Sequence, residues 1–282
     1  MTVSLLLALG AAVCFGVCDY VSGMFSRRLS MLDILGFGSA IGLILIVLLL
    51  PFFPEADATT ADLGWGFVSG LAAAGAALLL LRGFRVGRFG VVSPVSSVGA
   101  AGIPVVVGLA LGEDPSGIVL TGLIAGIAAI WLVSGSASPA ANGARPRAAG
   151  LWEGLGAGVL LAVMFLTLSR ADFASGPWPV LTLQLGLLAV IGVALILRRK
   201  RPRITLDDLP GVSIVGATAV IGTLGFIYSA YLGLVSIAAV VTAMSPAVTV
   251  LMARVLIAEH FTPRQVVGLA VAAVAIVLIS LG

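Results

Sequence analysis

Ten apolar runs alternate with short polar stretches along the chain. They cover about 3–24, 31–50, 63–81, 91–111, 117–135, 151–169, 178–197, 209–232, 236–257 and 265–281. A helix that crosses a bilayer needs about 20 mostly apolar residues. Strands of a membrane barrel would instead show segments of about ten residues with alternating polarity. The runs here are rich in Leu, Ala, Val and Gly and do not alternate. The pattern therefore predicts an all-α integral membrane protein with ten transmembrane helices. No run is left over for a soluble domain.

The polar punctuation repeats. Glu259 lies 146 residues after Glu113, and the same offset pairs Gly233 with Gly87, Gly268 with Gly122 and Ser280 with Ser134. Upstream it pairs Asp208-Leu209 with Asp62-Leu63, Gly216 with Gly70, and Leu155-Gly156-Ala157 with Leu9-Gly10-Ala11. Apolar matches carry little weight in such a chain, but Gly, Asp, Glu and Ser at one constant offset indicate duplication. The first repeat is assigned to residues 1–138, a linker rich in Ala, Ser, Gly and Pro to 139–149, and the second repeat to 150–282. Five spans per repeat, joined in series, place the two halves in opposite orientations. Inverted repeats with a site near the midplane are a common plan of secondary transporters.

Composition agrees with the membrane reading. The chain is 60% hydrophobic and 10% charged, with a mean hydropathy of +1.22, whereas soluble domains carry about 25% charged residues. Of its 15 Lys and Arg residues, all but Arg170 fall beside the loops that follow spans 1, 3, 5, 7 and 9. The positive-inside rule puts that face in the cytoplasm and both termini outside it. The basic residues sit in short loops next to apolar runs, so the net charge of +3 implies no nucleic-acid partner. The expected partners are the lipid bilayer and a small-molecule substrate.

Two stretches carry a resemblance. RGFRVGRFGVVSPVSSVGAAGIPVVVGLALGEDPSGIVLTG and AYLGLVSIAAVVTAMSPAVTVLMARVLIAEHFTPRQVVG resemble the EamA repeat of the drug/metabolite transporter superfamily. Each has a short Gly turn, a Pro-bearing helix, Gly/Ala-Glu, a turn and a Gly-rich last helix. The resemblance implies a ten-span inner-membrane carrier, with a central cavity lined by the Pro-bearing helices and their neighbours. It also implies export of an amino acid or a similar small amphipathic metabolite. Members of the family usually keep their termini in the cytoplasm, and here the charge asymmetry argues for the opposite.

Asp19 is the ionisable residue well inside a span. An intramembrane carboxylate is costly and faces the bundle interior or a wet cavity. Two readings stand side by side: a site for a proton or a substrate amine, or an ion pair with Arg82 or Arg254 acting as a gate. Ser93, Ser97, Ser245, Pro246 and Thr249 lie on the Pro-bearing spans, where proline frees backbone carbonyls that could bind substrate. The other reading of these small residues is close helix packing. Gln184 and Tyr228 could face the same cavity. Glu113 and Glu259 recur at span ends, which suggests a structural task such as bonding the start of the following helix. Cys14 and Cys18 with Asp19 make too small a ligand set for a metal, and no cofactor signature is present.

These features predict a secondary transporter without catalytic residues. No nucleotide-binding Gly-Lys-Ser/Thr loop is present, so the driving force would be an ion gradient, with protons as one candidate, or the substrate's own gradient. An uptake carrier or exchanger of the same fold is the alternative, followed by a channel or a non-transporting receptor. A duplicated chain that closes around one cavity needs no oligomer to form a path.

Overall fold

The computed structural model describes residues 2–26, 28–86, 89–134, 150–197, 204–257 and 262–281; for 84–86, 89–91, 93, 94, 134 and 257 it describes the backbone alone. The 139–149 linker, the basic stretch 198–203, Glu259 and His260 lie outside the described residues. All regular structure within them is helical: α1 (Thr2–Phe25), α2 (Met31–Leu49), α3 (Thr60–Val86), α4 (Phe89–Ala110), α5 (Gly117–Ser134), α6 (Leu151–Leu168), α7 (Trp178–Leu197), α8 (Leu209–Leu232), α9 (Val235–Thr242), α10 (Ser245–Ile257) and α11 (Pro263–Leu281). Among the described residues eight segments are long and apolar enough to cross a membrane, with α9 and α10 counted as one. Two further apolar helices, Val95–Ala110 and Gly117–Val133, are shorter.

The sequence sets the helix ends by capping, because the first N–H groups of a helix have no partner inside it. Ser30 Oγ accepts the Asp33 N–H to start α2, and Ser116 Oγ accepts the Val119 N–H to start α5. Thr262 and Gln265 cap α11 reciprocally, each side chain accepting the other's N–H at 3.3 and 2.8 Å. The left-handed φ of 95° at Gly112 and 87° at Gly150 suits glycine, which has no Cβ to clash there. They stand between α4 and α5 and ahead of α6.

The expected span 9 is two helices rather than one. Met244 N–H turns back to Val241 O at 3.1 Å and Ala247 N–H to Met244 O at 2.9 Å, so the ladder tightens and breaks between them. Pro246 has no N–H to offer the Thr242 carbonyl. By contrast, α4 continues as one helix through Pro94 and Pro104.

The packing partners of the two halves interchange. α1 packs on α8, as α6 packs on α3. The α9–α10 pair packs on α1, as α4 packs on α6. α2 packs on α8, as α7 packs on α3, while α5 and α11 pack on each other at the periphery. Glycine makes these approaches close. A Cβ added at Gly70 would strike the Leu183 carbonyl of α7, and one added at Gly216 would strike the Gly38 carbonyl of α2. In lipid, helix association depends on such packing rather than on the hydrophobic effect.

The bundle has two ends, named here by Asp62 and Asp208. Thr2 and Ser280 line one crevice at the Asp62 end. That end is tied by polar clasps between helices. Ser4 Oγ donates to Ser229 O at 2.9 Å, and Ser229 Oγ to Ser4 O at 2.8 Å. Glu113 accepts the Val235 N–H at 2.7 Å and the Ser236 N–H at 3.3 Å. Glu113 therefore caps α9, in the other half of the chain, and not the helix that follows it. The reason is reach: the turn after α4 carries it to the bare start of α9, while Ser116 already serves α5.

Gly216→Leu is expected to lower unfolding stability by about 1–3 kcal/mol, the usual cost of overpacking. Gly10→Leu, where an added Cβ meets nothing within 4 Å, should stay within about 0.5 kcal/mol of the parent. Unfolding of both variants in the same detergent would check this.

Candidate functional site

The site is built on the face where α1 meets α10. Exposed Val3, Leu6, Val13 and Met24 mark the outward side of α1. At 100° per residue, Asp19 lies about 120–160° around the helix from them. Asp19 is nonetheless exposed, so its carboxylate is reached from the interior of the bundle. Gly16, one turn earlier, lets α10 come close: a Cβ there would lie 2.5 Å from Val248 Cβ and 2.9 Å from Ser245 O.

Ser245 and Thr249 bring hydroxyls to this face. Ser245 Oγ donates to Asp19 Oδ2 at 3.5 Å, the outer limit of a hydrogen bond. Thr249 Oγ1 donates to Gly16 O at 3.1 Å and also lies 3.2 Å from Ser245 O, so it ties α10 to α1. Thr242, the last residue of α9 and three before Ser245, is 1% exposed, and its hydroxyl has no hydrogen-bond partner among the described residues. In the sequence Thr242 shares the Pro-bearing run with Ser245, Pro246 and Thr249. Pro246 faces the other way, lining a small crevice with Ala129, Ile130 and Ala272 of α5 and α11.

The two halves of the broken helix differ in access. From Ser236 to Thr242 every residue of α9 is buried, whereas Ser245 to Val250 of α10 are half-buried. Toward the Asp62 end, Phe165, at the position equivalent to Asp19, stacks on Phe226 with ring centroids 4.4 Å apart. Beyond it Phe173, Tyr228 and Tyr231 meet edge to face at 5.6–6.0 Å. Tyr228 thus belongs to an aromatic layer rather than to the Asp19 site. Gln184 is buried at 4% exposure, with its amide nitrogen against Gly42. It stands in the half of the bundle nearer Asp62, where α7 crosses α2.

The remaining predicted residues are spread out. Arg82 does not pair with Asp19: its Nε lies 3.5 Å from Glu153 Oε1. Arg254 is exposed in the last turn of α10, about 13 Å along the axis from Ser245 at 1.5 Å per residue. Ser97 is half-buried in α4, and the Ser93 side chain lies outside the described residues. Among the described residues no group of three or more His, Cys, Asp or Glu could hold a metal ion.

Comparison with known proteins adds a family. The model of the EamA-like transporter family matches residues 2–135 and again 148–281. No curated protein matches the chain. A solved crystal structure of a protein superimposes with a TM-score of 0.80 at 13% identity, over 99% of this chain and 96% of that one. At that identity the likeness concerns the fold.

The separation of Arg82 from Asp19 gives a test. Asp19→Asn and Arg82→Gln should affect unfolding stability additively, with a coupling below about 0.5 kcal/mol in a double-mutant cycle. The Arg82–Glu153 pair is 72% exposed on the Arg side, so its own coupling should stay below about 1 kcal/mol.

Proposed function

Because this chain belongs to the EamA-like transporter family, we propose that it is a secondary transporter of ten spans, built as two inverted five-helix repeats. It moves a small amphipathic metabolite, an amino acid or a compound of similar character, out across the inner membrane. The interchange of packing partners supports the inverted arrangement, since a two-fold axis in the membrane plane would exchange α1 with α6 and α3 with α8. The excess of Lys and Arg near the Asp208 end supports termini outside the cytoplasm.

The observation that carries the transport reading is Asp19. It is a carboxylate inside a span, open to the bundle interior and next to the first residue of α10. A cargo ammonium group or a proton can bind there. The aromatic layer and the buried α9 close the path beyond it. When the bundle rocks, access to Asp19 passes from one end to the other, and an acid that meets both sides in turn can couple two gradients.

Comparing the metabolites of cells with and without the protein identifies the cargo. Transport per correctly inserted molecule in proteoliposomes then tests the site. Asp19→Asn keeps the shape and removes the charge; it should insert normally and lower pH-gradient-driven transport by about tenfold or more. Wild-type rates with and without the gradient would remove Asp19 from the mechanism. Counterflow that saturates with cargo separates a carrier from a channel. A reporter fused after Gly282 should read as extracytoplasmic, and a cytoplasmic signal would reverse the orientation.

A further inference from the structure

The helix caps at Asp62 and Asp208 are built alike and used differently. In each, Oδ2 accepts the N–H and the hydroxyl of the threonine three residues earlier. The distances are 2.9 and 2.6 Å from Thr59, and 3.1 and 2.7 Å from Thr205. Both aspartates are buried, at 4% and 6% exposure. Asp62 uses its second oxygen as well: Oδ1 accepts the N–H of Asp172, in the loop after α6, at 2.8 Å. Next to this bond, Asp57 N–H donates to Ala174 O at 2.9 Å. Asp208 Oδ1 makes no corresponding bond among the described residues.

The position equivalent to Asp172 is Ser26, 146 residues earlier. Its N–H remains in the helix ladder and donates to Ser22 O at 2.8 Å. α6 ends at Leu168, whereas α1 continues to Phe25, past the position equivalent to Leu168 by most of a turn. The same N–H thus has two alternative acceptors. In the second repeat it has left the helix for the carboxylate of Asp62. In the first it has stayed in the helix, and the carboxylate of Asp208 waits. The two are neighbours: the Phe25 ring fills the space that a Cβ on Gly211 would need, and the charge of Arg28 acts on Asp208.

We propose that Asp62 and Asp208 are matched latches at opposite ends of the bundle, of which one is engaged at a time. Engagement of Asp208 opens the last turn of α1 at Ser22–Phe25 and transfers the Ser26 N–H to Asp208 Oδ1. Release of Asp62 lets Asp172 return to the ladder of α6. The number of hydrogen bonds is the same before and after, because each end trades an N–H to carbonyl bond against an N–H to carboxylate bond in opposite directions. The stronger charge-assisted bond is always present at one end, so neither state is left with an unpaired buried N–H. The inference rests on the inverted-repeat reading, and it assigns to Asp62 and Asp208 a positioning role beyond capping.

Substitution by asparagine separates the latch from the cap. One oxygen remains for the threonine, while the other becomes an amide NH₂ that cannot accept. The reporter is Tyr231→Cys, beside Phe173 at the Asp62 end, with Cys14 and Cys18 replaced by Ser. A membrane-impermeant maleimide is applied from the Asp62 side of proteoliposomes. D62N should raise the labelling rate about tenfold, and D208N should lower it below the parent. Thr59→Val and Thr205→Val, which weaken the caps without touching Oδ1, should leave it within about twofold. Equal rates in D62N and the parent, or a rise with Thr59→Val as large as with D62N, would overturn the latch. If the cysteine variant does not fold, hydrogen exchange over residues 169–176 supplies the readout: faster in D62N supports the latch, unchanged overturns it. Neither measurement uses a cargo, so loss of the latch and loss of the transport reading are seen separately.

Discussion

A backbone N–H without an acceptor costs several kcal/mol inside a bilayer, where no water can replace the missing partner. This constraint explains where the chain puts its few carboxylates. Asp62 closes a cap with Thr59 at the start of α3, and Asp208 closes one with Thr205 on the short 3-10 turn that leads into α8. Glu113 reaches across the bundle to the first N–H groups of α9. Once the helix starts are satisfied, the rest of each helix can be apolar, and glycine sets how closely the helices approach. Asp19 is different. It lies well inside α1 and accepts one long hydrogen bond from Ser245. In the proposed function, this carboxylate, which caps no helix, is the group that a passing solute meets.

The two ends of the bundle are unequal in this structure. The Asp62 end holds the serine clasp, the capped start of α9, the aromatic layer and the Asp62–Asp172 bond. The region of Asp19 on the other side of that layer is open to the interior. The alternating mechanism proposed above requires two repeats that can take unequal conformations. The broken helix belongs to the same logic. α9 stays packed and buried while α10 stands off with its hydroxyls on α1, so the break at Ala243–Met244 divides a closed part from an accessible one.

Much of this was legible in the sequence. The apolar runs located the helices, and the constant offset exposed the duplication. Asp19 stood out because no other charge lies so deep in a run. Asp62 and Asp208 were visible as a repeat match, and their caps with Thr59 and Thr205 emerged from the structure. The targets of these groups were not legible. Asp172 lies 110 residues from Asp62 and Val235 lies 122 from Glu113, and no local signal links them. Proline also proved ambiguous. Pro94 and Pro104 leave α4 continuous, while the break falls just before Pro246, because tertiary packing decides whether a ladder missing one donor holds. Arg82 was a plausible partner for Asp19 by depth alone, but Glu153 stands closer on the neighbouring helix.

In the proposed cycle the two repeats exchange conformations between the two ends. Spin labels at Leu6 with Thr60, and at Trp152 with Leu206, form pairs at repeat-equivalent positions at opposite ends, all four exposed. Pulsed electron resonance in nanodiscs, with both native cysteines replaced, reads the two distances in the same lipid. Such an exchange gives two distances for each pair, with complementary populations: whatever lengthens one pair shortens the other. A single fixed distance for each pair, or two pairs that lengthen together, would contradict it.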